Sequence, residues 1–256
     1  MPPSAQSTID SPSVSGSLPV PAYLQETYWW AYIHPWAVRI FERRWLVNLI
    51  LLGNYARLRD VALDEIGPRA DGQTLQVACV YGDLTARLGE RIGASGTLDV
   101  VDVMPIQLHN LKRKLPPGAK TRLLHADSTA LGVADASYDR VLIFFLLHEQ
   151  PLCVRRQTLA EAIRVLKPGG KLVLVDYHRP AAWHPLRHVM RWVLRQLEPF
   201  ALDLWHSEVA EFLPNSAMLS GCRKDTYFGG LYQKVVLTRQ MRRPFEGKDD
   251  ERSLAS

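Results

Sequence analysis

Glycine is scarce where a nucleotide-binding turn needs it most. Residues 74 to 85 read TLQVACVYGDLT, an apolar strand running into a turn and then a helix, and Gly82 is the single glycine there. Such turns ordinarily carry several, because a backbone that approaches a ligand closely has no room for side chains. Cysteine is scarce as well. Cys79, Cys153 and Cys222 are widely spaced, odd in number and form no CxxC pair, which argues against a disulfide framework or a zinc site and fits a reduced, cytosolic setting. No apolar run reaches the roughly 18 residues of a membrane span, and no basic segment leading into an apolar core opens the chain, so neither an integral nor a secreted protein is expected. Large apolar groups are nearly missing from the Ser/Pro-rich residues 1–20, and residues 242–256 are polar and charged; both are read as disordered tails.

What remains suits one large α/β domain: 256 residues, 47% hydrophobic, 22% charged, with a formal net charge of +5. That charge permits anionic membranes, acidic ligands or nucleic acid, but no nucleic-acid recognition module is present. Five β-branched runs, TLQVACV, TLDVVDV, TRLLHA, DRVLIFFLL and KLVLVDY, alternate with helix-length connections and predict a parallel sheet covered on both faces. CRKDTYFGGLYQKVVLTR reads as an antiparallel edge hairpin around Gly229 and Gly230.

Ligands of open parallel sheets bind beyond the carboxyl ends of the strands. The first strand end supplies Gln76, Ala78, Cys79, Val80, Tyr81, Gly82 and Asp83, and the second Asp102 and Val103, with Asp102 twenty residues after Gly82, where an acid can accept ribose hydroxyls. The third ends in HADS, placing Asp127 and Ser128 near an adenine; the fourth ends in LLHEQP, aiming His148 and Glu149 at the reacting groups. Each has a structural reading too. Asp102 and Asp127 suit helix caps, and His148 suits a satisfied core histidine.

RVLKPGGKLVLVDY (164–177) resembles the class I S-adenosylmethionine-dependent methyltransferases, particularly those acting on ubiquinone and menaquinone precursors. The resemblance implies a Rossmann-like fold with a mostly parallel seven-stranded sheet and an antiparallel edge hairpin. It divides the chain into a helical N-terminal lid (21–68) and a cofactor domain (69–241) carrying a helical insertion (179–215). Those families carry an acid followed by Gly-x-Gly-x-Gly at the first strand end, where this chain has Gln76 and then Ala78, Val80 and Gly82. YWWAYIHP, FERRWLVNLILLGNY, LQVACVYGDLT, FFLLHEQP, VDYHRP and LEPFALDLW together resemble the rhodoquinone biosynthesis family, the aberrant turn included.

That second resemblance implies replacement of a ring methoxy group of ubiquinone by an amino group, with S-adenosylmethionine as amino donor and manganese required. Tyr81, Asp83, His148 and Glu149 are then the catalytic candidates, with Asp83, His148 and Glu149 also candidate metal ligands, alongside Asp176 and His178. Tyr28, Trp30, Tyr32 and His34, an aromatic cluster, and Tyr177 and His178 are the substrate candidates. Methyl transfer to a quinone or other hydrophobic aromatic is the alternative, and a non-catalytic partner of a quinone-biosynthetic assembly a further one. Two segments suit a membrane-dissolved substrate. Residues 178–197 contain Arg179, Arg187, Arg191 and Arg195, no acid, and the periodicity of a basic amphipathic helix. WLVNLILLG (45–53) is apolar, too short to span, and flanked by Arg43, Arg44, Arg57 and Arg59. A protein peripherally bound to the inner face of the cytoplasmic membrane is expected, with no protein partner implied.

Overall fold

A computed structural model describes residues 18–28, 43–213 and 219–241. Among the described residues three helices precede the sheet: α1 (Ala22–Thr27), α2 (Arg44–Ile50) and α3 (Tyr55–Ile66). Strands and helices then alternate through β1 (Ala70–Val77), α4 (Leu84–Glu90), β2 (Ile92–Asp102), α5 (Pro105–Lys114), β3 (Thr121–His125) and β4 (Tyr138–Phe144). A short 3-10 turn, Leu147–Glu149, leads to α6 (Leu152–Val165), β5 (Leu166–Tyr177), α7 (Arg187–Leu197) and α8 (Asp203–His206), and the hairpin β6 (Leu219–Tyr227) and β7 (Tyr232–Arg239) closes the fold.

The seven strands lie in the order β3-β2-β1-β4-β5-β7-β6. All neighbours are parallel except β7, which runs antiparallel to β5 and β6. The order reverses between β1 and β4, so the crevice between their carboxyl ends is the switch point at which such sheets take ligands. Both faces of the central strands are buried, whereas the edge strands β3 and β6 are not, and residue alternation sorts the two faces. Leu142, Phe144, Val173 and Val175 face a core with α3's Leu58 and Leu63, whereas Val141, Ile143, Leu172 and Leu174 face α6's Leu159 and Ala162. Each fully buried Leu or Val contributes about 1.5–3 kcal/mol. This two-sided burial is why the strands read as near-continuous apolar runs.

Two boundaries differ from the sequence expectation. The Pro-Gly-Gly segment is not a turn before the fifth strand but its first part: β5 begins at Leu166, and the pairing slips register between Tyr138 and Arg140 of β4. Gly169 takes φ 79°, and a Cβ on Gly170 would meet the Lys167 carbonyl oxygen at 2.8 Å, so glycines make this irregular strand start sterically possible. The basic helix expected over 178–197 starts only at Arg187, after Pro180 and Pro185, whose missing N–H groups prevent helix propagation through them. Met190 and Leu194 are its buried side, while Val189, Trp192 and Leu197 are exposed.

Candidate active site

Two adjoining clefts open at the switch point. The first is lined by the ends of β1, β2 and β4 and by the segment after β3: Ala78, Cys79, Asp102, Val103, Asp127, Ser128 and Glu149 among others. Tyr23 and Leu24 of α1 close over it, and Met104 and Gln107 complete its wall. The second encloses about 810 Å³ of empty space, counting the solvent at its mouth, and is lined mostly by apolar and aromatic groups, among them Val47, Ile50, Leu51, Tyr55, Phe144 and Phe145. Its polar atoms come from a few side chains, Tyr28, Tyr81, His148, Glu149, Tyr177 and Glu198. Cys79, Phe145 and Glu149 belong to both clefts and form the wall between them.

The first cleft is built around Asp102. Its Oδ2 accepts the Cys79 N–H at 2.7 Å and its Oδ1 the Met104 N–H at 2.7 Å, so one carboxyl ties the turn after β1 to the turn after β2. Burial pushes this carboxyl up to about 6, against the lowering effect of those two amides. Asp127 closes a tight turn and not a helix, accepting the Thr129 N–H at 2.8 Å, and it lines the first cleft.

The turn after β1 is braced from inside the protein. Ala78 takes φ 70°, a left-handed conformation unusual for alanine, fixed by its N–H bond to the Val101 carbonyl at 2.8 Å. Gly82 takes φ 91°, and a Cβ there would meet the Tyr55 hydroxyl at 2.4 Å. That hydroxyl accepts the N–H groups of Asp83 and Leu84 at 2.9 and 3.1 Å, capping the start of α4. Asp83 is held by Arg59 at 2.8 Å and Arg87 at 2.8 Å, and it lines neither cleft. Arg59, one of the four arginines that flank the apolar segment 45–53, is therefore a buried structural partner of Asp83.

Behind the second cleft Asp176, fully buried at the end of β5, accepts the N–H groups of Leu147, His148 and Tyr177 and the His148 Nδ1–H at 2.9 Å. Burial alone would lower the His148 imidazole. The charge and hydrogen bond of Asp176, with Glu198 and Glu149 nearby, outweigh it and push the imidazole up to about 9, leaving a cationic Nε2–H donor 3.7 Å from Glu149 Oε1. Phe145 and Tyr177 pack edge-on against it, the Phe145–His148 and His148–Tyr177 centroids lying 5.9 and 5.0 Å apart, and Tyr232 packs behind them against Phe145 and Tyr177. Phe145 itself is held at φ 52° by its bond to the Val175 carbonyl.

A model of the ubiE/COQ5 methyltransferase family matches residues 42–213, two thirds of the sequence. The chain belongs to the ubiE/COQ5 methyltransferase family. An uncharacterised methyltransferase of Synechocystis is 27% identical over 209 residues, 80% of this chain and 92% of that protein. The demethylmenaquinone methyltransferase of Staphylococcus aureus is 31% identical over 135 residues, 53% of this chain and about half, 55%, of its relative's length. Among solved structures, an O-methyltransferase family protein from Burkholderia thailandensis aligns with a TM-score of 0.62 at 15% identity, covering 81% of this chain and 60% of that one. The putative methyltransferase in complex with the Haloferax volcanii Trm112 activator aligns at 0.60 and 17%, covering 81% and 99%. The protein is thus an enzyme of the S-adenosylmethionine-dependent methyltransferase kind.

The donor set of the first cleft fits that cofactor: Asp102 has lone pairs left for ribose hydroxyls, with apolar walls from Met104 and Leu146 beside it. Several expected residues lie elsewhere. Gln76 and Gly82 line neither cleft, and Val80 and Tyr81 line the second, so of the glycine-position residues Ala78 alone faces the cofactor side. Gln76 is fully buried; its Nε2 donates to the Ala78 carbonyl at 2.9 Å, and its Oε1 has no partner among the described residues. His178 is turned away, its Nδ1 bonded to the Gly230 carbonyl at 2.8 Å, whereas Tyr28 and Tyr177 do reach the second cleft. Trp30, Tyr32 and His34 lie outside the described residues. Manganese does not fit the arrangement of Asp83, His148 and Glu149: among the described residues no three His, Cys, Asp or Glu side chains group as ligands. Asp83 belongs to the two arginines and His148 Nδ1 to Asp176. Sequence reasoning missed Glu198, Phe145 and Arg155 because nothing local marks a glutamate after a helix, a phenylalanine in an apolar run or one arginine among many.

Proposed function

We propose that the enzyme replaces a ring methoxy group of ubiquinone by an amino group taken from S-adenosylmethionine, forming rhodoquinone. The observation that carries this reading is Gln76: a buried neutral amide, spent on bracing Ala78, stands where the resembling methyltransferases have an acid. Loss of that charge removes an interaction favouring the ammonium form of the donor's amino group, so its amine is freed for attack more readily. The quinone carbon bearing methoxy is electron-poor, being conjugated to a carbonyl. In this reading His148 Nε2–H, in the second cleft, holds a carbonyl oxygen, and Glu149, on the wall shared by both clefts, accepts the proton released as nitrogen bonds to the ring; their cleft positions support these roles. The resemblance also implies manganese, for which the described residues form no ligand set.

The apolar tail of such a substrate needs a path from the membrane to the second cleft. Ile50 of α2 both lines the second cleft and is exposed, beside exposed Trp45 and Leu49; Trp183, Trp192, Arg191 and Arg195 present an aromatic and basic surface on and before α7. We take these as a peripheral contact with an anionic bilayer.

Methyl transfer to a quinone ring is the second reading, and the family match and the demethylmenaquinone methyltransferase relative favour it. Purified protein incubated with a short-tailed ubiquinone and nitrogen-labelled S-adenosylmethionine, with and without manganese, decides by product mass. Loss of methoxy with gain of labelled nitrogen supports amino exchange; an added methyl sinks it. Gln76→Asp should lower the amino product, and an unchanged yield counts against the role of residue 76.

A further inference from the structure

Glu198 has no place in the chemistry so far. It follows the last residue of α7, its N–H bonded to the Leu194 carbonyl at 2.8 Å, and it lines the second cleft opposite the His148 turn. Its Oε2 is shut off from solvent and has no partner within hydrogen-bond distance among the described residues, although the Tyr28 hydroxyl faces the carboxyl. A carboxyl shut off from solvent in a largely apolar cleft, with one phenol beside it, is costly to ionise and holds its proton. The placement is enforced by fully buried Arg155, which donates to the carbonyls of Leu147 and Gln150 on one side and Phe200 on the other, each at 2.9 Å. One guanidinium thus sets Glu198 relative to His148. Burial raises the Glu198 carboxyl above its ordinary value, and the His148 cation offsets part of that rise.

We propose that Glu198 is the general acid of the second cleft, protonating the methoxy oxygen as it leaves the quinone ring. The assignment rests on the amino-exchange reading. As the C–N bond forms, the ring double-bond pair moves onto the carbonyl oxygen held by His148, and the nitrogen loses a proton to Glu149. The pair then returns, the C–O bond breaks, and the departing oxygen takes the Glu198 proton to give methanol. The proton on Glu149 replaces the one lost by Glu198, so this substitution, amine plus methoxyquinone giving ring-linked amine plus methanol, is proton-neutral and involves no oxidation; the nitrogen keeps its bond to the donor's α-carbon through this step, and breaking that bond is a separate, later step in which Glu198 has no part.

Glu198→Gln keeps the shape and removes the proton. With a methoxy quinone, kcat should fall by about 100-fold or more while S-adenosylmethionine and quinone binding change by less than about threefold. A short-tailed analogue carrying trifluoroethoxy in place of methoxy expels a group that needs far less protonation, and the variant should recover to within about tenfold of wild type on it. Equal loss on both substrates, or near-wild-type turnover of methoxy, overturns the assignment. Should Glu198→Gln fold poorly, Glu198→Asp must show the same leaving-group dependence in weaker form. The wild-type product mass separates the two ideas: an added methyl refutes amino exchange, whereas amino product from wild type and Glu198→Gln alike refutes only the role of Glu198.

Discussion

Asp102 couples cofactor binding to stability in a way that can be measured. Its carboxyl, ordinarily near 3.8, sits at about 6 in the folded protein, so ionising it there costs about 3 kcal/mol relative to the unfolded chain. Because the folded-state value is raised, the cost is fully present above about pH 6 and is relieved as pH falls from 6 toward 3.8; between pH 7.5 and 4.5 this group alone should add about 2 kcal/mol of stability. Asp102→Asn removes the titration. The amide can accept only one of the Cys79 and Met104 N–H groups and sets its own N–H₂ against the other, a loss of about 1–3 kcal/mol that offsets much of the relief at neutral pH. Denaturant unfolding of both proteins at pH 7.5 and 4.5 tests this through the difference between them, which cancels every other titrating group. Wild type should gain about 2 kcal/mol on the variant upon acidification, and the variant should bind S-adenosylmethionine at least about tenfold more weakly at pH 7.5. A stability difference that does not change with pH would refute the reasoning.

Three further outcomes are expected. Ala78→Gly should stabilise the fold by about 1 kcal/mol in denaturant unfolding, because glycine adopts φ 70° without the Cβ penalty; destabilisation would show the alanine methyl to be a packing element instead. Arg155→Met, close in length but without donors, should cost about 3–5 kcal/mol in the same assay, since it strands three buried carbonyls and unpairs Asp203. The protein should sediment with anionic liposomes at low salt, less at high salt, and less again when exposed Trp192 is changed to Ala; purely soluble behaviour at low salt would remove the membrane contact.

The Gly82–Tyr55 pair shows where reading along the chain stops. Gly82 is recognisable as the surviving glycine of a degenerate turn, yet its necessity comes from a tyrosine 27 positions earlier whose hydroxyl occupies the Cβ space and caps α4. Asp83 stands near a strand end, as His148 and Glu149 do, but strand-end position says nothing of side-chain direction, and two arginines claim Asp83. Asp102, Asp127, Ser128 and Glu149 were legible because strand ends in a parallel sheet converge on one edge whatever the packing.

By itself the sequence determined the sheet, its hairpin edge and the cofactor edge, since alternation, strand length and turn glycines act over a few residues and need no distant partner. Tertiary structure alone decided which polar groups share the second cleft. His148 gains its charge from Asp176, and Glu198 its location from Arg155, through contacts 28 and more residues apart in the chain. The physical reason is that burial and charge pairing depend on what folding brings within a few ångströms, and no local pattern encodes that neighbourhood.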